Sequence, residues 1–134
     1  PYGHGQNLYG KQGLIAVVLG KLLKNEPITV FGDGEVVRDY IYIDDFTYYV
    51  KELIRNGVLN ETINIGSGIG YSINRIIDVF NKLSKTPLKI EYVDARKDDV
   101  PMMVLDTTRL HNFVKHENVS LERGIELFYN DTIN

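Results

Sequence analysis

Between Val30 and Asp45 the chain reads V-F-G-D-G-E-V-V-R-D-Y-I-Y-I-D-D, and no other stretch restricts the fold as tightly. Two extended runs, Ile28 to Phe31 and Val36 to Ile43, flank Gly32-Asp33-Gly34. Asp-Gly between β-rich runs signals a hairpin or tight turn, because Gly takes a positive φ without a Cβ clash. In the second run Val, Tyr and Ile alternate with polar residues, so the Arg38 side chain leaves the strand opposite Val37, where it can meet a ligand. Asp44 or Asp45 stands where a helix N-cap belongs. Behind it Phe46, Tyr49, Val50, Leu53 and Ile54 recur at i, i+3, i+4, i+7 and i+8, which predicts an amphipathic helix ending near Asn56-Gly57.

The rest of the chain alternates in the same way. Lys11 to Asn25 predicts a helix with Leu14, Val17, Val18 and Leu22 inward and lysines at its C-terminal end, stopped by Asn25 and Pro27. Thr62 to Ile65 reads as a short strand, left through Gly66-Ser67-Gly68-Ile69-Gly70, and Ser72 caps a helix carrying Ile73, Ile76, Ile77, Phe80 and Leu83. Leu88 to Val93 alternates as a strand, and Asp94 to Pro101 is a charged loop. Asp106 and Ser120 cap two further helices, one through Leu110 and Phe113, the other with Leu121, Ile125 and Phe128. Pro1 to Gly13, rich in glycine, reads as a loop laid on a surface. The whole is mixed α/β, a single domain over residues 1–134 without internal repeats.

Composition removes several functions. Fifteen Lys and Arg stand against 18 Asp and Glu, with no basic run, so the electrostatic footprint of a nucleic-acid binder is missing. The absence of cysteine excludes disulfide scaffolds, thiolate metal sites and a Cys nucleophile, and fits a reducing compartment; the cytoplasm is the expected location. The most apolar window, Leu14 to Leu19, falls short of the roughly 20 residues that span a bilayer. A start at Pro1, without an initiator Met or a signal-peptide pattern, reads as a piece of a longer protein.

Two constellations could carry chemistry. Gly66-x-Gly68-x-Gly70 between a strand and a helix could hold a phosphate on helix amides, with Asp94 near the offset of a ribose-binding acid. Its third glycine comes one residue early for a dinucleotide fingerprint, so a plain strand-to-helix turn is the competing reading. Arg38 and Arg96 both lie at strand ends or in loops, and two planar guanidinium forks suit a diphosphate; surface ion pairs with acidic neighbours are the alternative. His4, His111 and His116 have no metal-ligand spacing, and no tyrosine has Lys at i+4.

Five fragments in order resemble the C-terminal half of extended short-chain dehydrogenase/reductases, most closely NAD-dependent epimerases and dehydratases of the UDP-glucose 4-epimerase type. They are Pro1-Tyr2-Gly3-His4-Gly5-Gln6, Glu26 to Gly34, Arg38 to Asp45, Asn64-Ile65-Gly66-Ser67-Gly68 and Arg96-x-x-Asp99-Val100, which together span nearly the whole chain. His4 departs from the family's usual Pro. The resemblance implies that Arg38 and Arg96 clamp the diphosphate of a UDP-sugar, that Asp99 bonds the ribose, and that Thr29, Val30 and Phe31 hold the base with Tyr40 nearby.

It also implies that NAD is bound by an N-terminal Rossmann domain absent from this chain, that the chain alone is not catalytic, and that the full-length enzyme is a homodimer. Some apolar positions of the Phe46 to Ile54 helix are then expected to face that domain. The alternatives are a dehydratase, decarboxylase or reductase of the same family, and a non-catalytic binding module.

Overall fold

The computed structural model describes residues 1–133, and among them five helices are interspersed with five short strands. Helix α1 (Leu14–Leu23) falls within the predicted span. It starts after Gly13, at φ 82°, and ends before Asn25, which turns the chain at φ 54° ahead of Pro27. Ile15, Ala16, Val18 and Leu19 are buried, whereas Leu14, Val17 and Leu22 are only partly so; the inward face is rotated from the expected one. The rotation has a cause in Gly20, where a Cβ would run into the carbonyl of Leu8. The glycine lets the N-terminal loop lie directly on the helix.

Gly20→Ala should therefore destabilise the chain, although alanine is favoured over glycine in a helix by about 1 kcal/mol. Overpacking costs about 1–3 kcal/mol, and a clash with a backbone carbonyl belongs in the upper part of that range, about 2–3 kcal/mol, so a net loss of about 1–2 kcal/mol is expected in urea unfolding. An unchanged or higher midpoint would show that the Leu8 segment yields.

Strand β1 (Ile28–Phe31) pairs in parallel with β4 (Ile90–Val93), Ile28 opposite Ile90 and Phe31 opposite Val93. Strand β2 (Val37–Asp39) lies between β3 (Gly70–Ser72), antiparallel, and β5 (Met102–Met103), parallel. The expected hairpin is thus not formed: β1 and β2 belong to different sheets. Gly32 and Gly34 do turn the chain, at φ 73° and 79°, but the turn's polar groups are engaged elsewhere. The amide of Asn74 donates to the Gly34 carbonyl, and its side-chain amide donates to the Asp33 carbonyl and the Glu35 carboxylate. An asparagine in the first turn of the third helix therefore holds the turn, and neither flanking run closes on the other.

Thr62 to Ile65 is not a strand either. It finds no ladder partner among the described residues, and Ile63 and Ile65 instead pack against a small core of Ile41, Tyr49, Leu110 and Val114. The two-residue β5 was not expected, since its exposed Met102 and Met103 offer no alternation to read.

Helix α2 (Ile43–Arg55) has Tyr42 as its N-cap, two or three residues ahead of the expected Asp44 or Asp45. Its buried positions are Asp45, Tyr49 and Glu52, at i, i+4 and i+7, while Ile54 is 74% exposed and Phe46 and Val50 only half-buried. The predicted apolar stripe thus lies partly in the open, and the buried face carries two carboxylates. Helix α3 (Ile73–Leu83) is capped as expected, the Ser72 hydroxyl accepting from the Arg75 amide at 3.2 Å.

In α4 (Thr108–Phe113) the Asp106 carboxylate accepts the Thr108 amide at 2.9 Å. In α5 (Leu121–Ile133) the Ser120 hydroxyl accepts from Arg123. The main core joins α1, β1, α3 and α5 through Leu19, Val30, Ile76, Phe80, Ile125 and Phe128. Each large side chain so buried contributes about 1.5–3 kcal/mol. No described helix is long and apolar enough to cross a membrane.

Candidate functional site

Alternation along β1 decides what the strand offers. Ile28 and Val30 turn into the core, whereas Thr29 and Phe31 face outward onto a cavity of about 320 Å³. Backbone groups alternate too. The amides of Ile28 and Gly32 donate to Lys89 and Val93 on the β4 side, so the N–H and C=O of Thr29 and Phe31 lie on the opposite edge, where no described strand pairs. One strand thereby presents two side chains and an unpaired main-chain edge to the same space. Val30 is the exception among the predicted site residues: it is 2% exposed and packs in the core rather than lining the cavity.

The other walls come from remote segments. Arg38 and Tyr40 enter from β2 and the residue after it, Ile73 from the start of α3, Leu14 and Val17 from α1, and Arg96 and Asp99 from the charged loop. Six of the seven predicted residues therefore line one cleft.

Arg38 is half-buried, and its Nη1 donates to the carbonyls of Val37 at 2.8 Å and Val100 at 2.7 Å. The second bond ties β2 to the loop that carries Arg96 and Asp99. The guanidinium of Arg96 lies over the Phe31 ring, 3.9 Å from its centroid, a cation–π contact of about 0.5–1 kcal/mol at an exposed site. Neither arginine forms an ion pair among the described residues, so the surface ion-pair reading does not hold for them. Burial pushes the Tyr40 hydroxyl up to about 12, against a smaller opposite pull from Arg38, so it is a neutral hydrogen-bonding group at neutral pH.

The glycine turn has a different use. Asp39 Oδ1 accepts from the Ser67 amide at 2.8 Å and the Ser67 hydroxyl at 2.6 Å, and Oδ2 accepts from the amides of Gly68 at 2.9 Å and Leu105 at 3.3 Å. The amides that could have held a phosphate hold a side chain of β2. The residues here therefore do not fit the pyrophosphate of a dinucleotide, and the plain-turn reading stands. His116 is likewise engaged structurally: its Nε2 donates to Asp45 at 2.7 Å.

The cleft was partly missed by sequence reasoning, which did not assign it Lys11, Gly13, Leu14, Val17, Val36 or Ile73. Only Ile73, directly behind the Ser72 cap, stood near a segment whose direction could be anticipated; the α1 residues reach the cleft by tertiary packing alone.

A two-stranded parallel sheet beside a three-stranded mixed sheet, with an arginine-lined cleft between them, matches solved proteins along the whole chain. A UDP-glucose 4-epimerase from Thermotoga maritima, solved with UDP-glucose, is 34% identical, with a TM-score of 0.80 over 99% of this chain and 44% of that one. A UDP-glucuronic acid 4-epimerase from Bacillus cereus, solved with UDP-glucuronic acid and NAD, is 25% identical, with a TM-score of 0.84 over 99% of this chain and 43% of that one. A putative UDP-glucose 4-epimerase from Methanocaldococcus jannaschii is 29% identical over 129 residues, 96% of this chain and 42% of the relative.

The profile of the NAD-dependent epimerase/dehydratase family matches residues 1–66. The architecture is that of the C-terminal portion of an extended short-chain dehydrogenase/reductase. The chain is thus similar, along its whole length, to the C-terminal portions of NAD-dependent epimerases and dehydratases. It spans less than half the length of the relatives it matches. The Bacillus cereus epimerase was solved with NAD; in this chain the glycine turn is filled by Asp39.

Proposed function

We propose that the cleft binds the nucleotide of a UDP-sugar, with Arg38 and Arg96 on the diphosphate, Asp99 on the ribose hydroxyls, and the base against the side chains and main chain of Thr29 and Phe31, beside Tyr40. The observation that carries this reading is the convergence of two guanidinia and one carboxylate from different segments on a cavity floored by an unpaired strand edge. An open edge offers the alternating donors and acceptors that a planar base can match. Guanidinium forks match phosphate oxygens, and a carboxylate accepts ribose hydroxyl protons.

The residues of this chain position the nucleotide, and the hydride exchange with NAD belongs to the whole enzyme, a UDP-glucose 4-epimerase-type isomerase in our reading. Support for the UDP-sugar comes from the relatives solved with UDP-glucose and UDP-glucuronic acid. A dehydratase or reductase of the same family would use the cleft in the same way. Calorimetric titration with UDP and with uridine tests the proposal. UDP should bind and uridine should bind at least tenfold more weakly, since hydrogen bonds to charged groups contribute about 1.5–3 kcal/mol. Equal affinity for the two would remove the diphosphate from the site.

A further inference from the structure

We infer that Lys11 is a third cationic contact for the bound nucleotide's diphosphate, reaching it from the loop ahead of α1. This rests on the nucleotide reading of the cleft and adds to it a residue that neither motif nor neighbouring charge marks out.

Three cations line the cavity, and they are not equivalent. Arg38 has one terminal nitrogen committed to the Val37 and Val100 carbonyls, and Arg96 is laid over Phe31. Lys11 lines the same cavity from the loop before α1, is exposed, and forms no hydrogen bond or ion pair among the described residues. Other lysines nearby are occupied: Lys21 donates to Glu26 at 2.8 Å, Lys24 lies over the Tyr9 ring at 4.0 Å, and Lys89 donates to the Asn25 carbonyl.

No local carboxylate neutralises Lys11. The first turn of α1 contains no acidic residue, and Asp99, the one acid lining the cavity, forms no ion pair with it. An ammonium on a flexible stem with three uncommitted donors, facing a cleft already supplied with guanidinia, is suited to a multiply charged phosphate group. A diphosphate in the cleft would meet all three, the arginines supplying planar geometry and Lys11 a mobile point charge. The left-handed Gly13 after it starts α1 abruptly, which leaves Lys11 on the loop, outside the helix.

The test is a ligand series on the 134-residue chain and on Lys11→Met and Lys11→Arg, titrated calorimetrically with UDP and uridine at two salt concentrations. Lys11→Met should weaken UDP by about tenfold while leaving uridine unchanged, because a charge-assisted contact of about 1.4 kcal/mol corresponds to that factor. The salt dependence of UDP binding should become shallower, and Lys11→Arg should keep most of the affinity. If UDP affinity changes less than twofold in Lys11→Met, the inference fails while the nucleotide reading stands. An equal loss for UDP and uridine would mark a structural effect and also overturn it. Wild-type protein that melts cooperatively but does not bind UDP would overturn both.

Discussion

Arg38→Ala is expected to weaken UDP binding by about 3 kcal/mol, roughly a hundredfold, the upper end of the range for hydrogen bonds to a charged group. The effect should exceed that of Arg96→Ala, because Arg38 performs two tasks. It presents its free nitrogens to the cleft, and its Nη1 bridges the carbonyls of Val37 and Val100. Without that bridge the 94–101 loop is tied to β2 mainly through the Val37 amide, which donates to the Pro101 carbonyl, and the exposed Arg96 and Asp99 lose a fixed origin. Arg38→Lys should recover less than a tenth of the lost affinity, since one ammonium cannot span two carbonyls and still offer a fork. Calorimetry on the three variants decides it. Near-wild-type affinity in Arg38→Ala would remove the diphosphate from this arginine.

The largest effect on stability is expected at Asp45, which does not line the cleft. Its side chain is nearly inaccessible, yet it accepts from His116 Nε2 at 2.7 Å and from the Val119 amide at 2.9 Å. His116 is in turn stacked on Tyr48, with ring centroids 4.3 Å apart. These contacts span more than 70 residues of sequence and fix the start of α5 against α2. Asp45→Ala deletes both acceptor bonds and leaves a part-buried amide unmatched, so a loss of about 3 kcal/mol is expected, seen as a fall of about 10 °C in the melting midpoint. Asp45→Asn, which keeps an acceptor oxygen, should lose about half as much. A midpoint within 2 °C or so of wild type in Asp45→Ala would show that water replaces the carboxylate at little cost.

The misassignment of Asp45 shows how far sequence reasoning reaches. Asp before an apolar-periodic segment is a sound capping signal, and at Ser72 and Ser120 the same logic gave the observed caps. At Asp45 it failed because a tertiary partner, His116, competes for the carboxylate, and nothing near it in sequence announces a residue so far away. The hairpin failed for a similar reason: Asp33-Gly34 was legible as a turn, but Asn74 takes up its polar groups and a parallel partner claims β1. In the cleft, the arginines and Asp99 were legible through motifs, whereas Lys11 and the α1 residues were not, since they arrive there by packing. The resemblance carries Thr29, Val30 and Phe31 over as one strand, whereas alternation along it puts Val30 in the core.

The unpaired edge of β1 is made of main chain, and main-chain groups are the same for every residue but proline, which lacks the N–H. Side chains at 29 and 31 can change the width and polarity of the slot, but they cannot rewrite the order of donors and acceptors along it. The guanidinia, by contrast, are encoded residue by residue. On the proposed nucleotide reading such a surface would drift unequally: one half is inherited with the fold itself, and the other must be retained by selection on single codons.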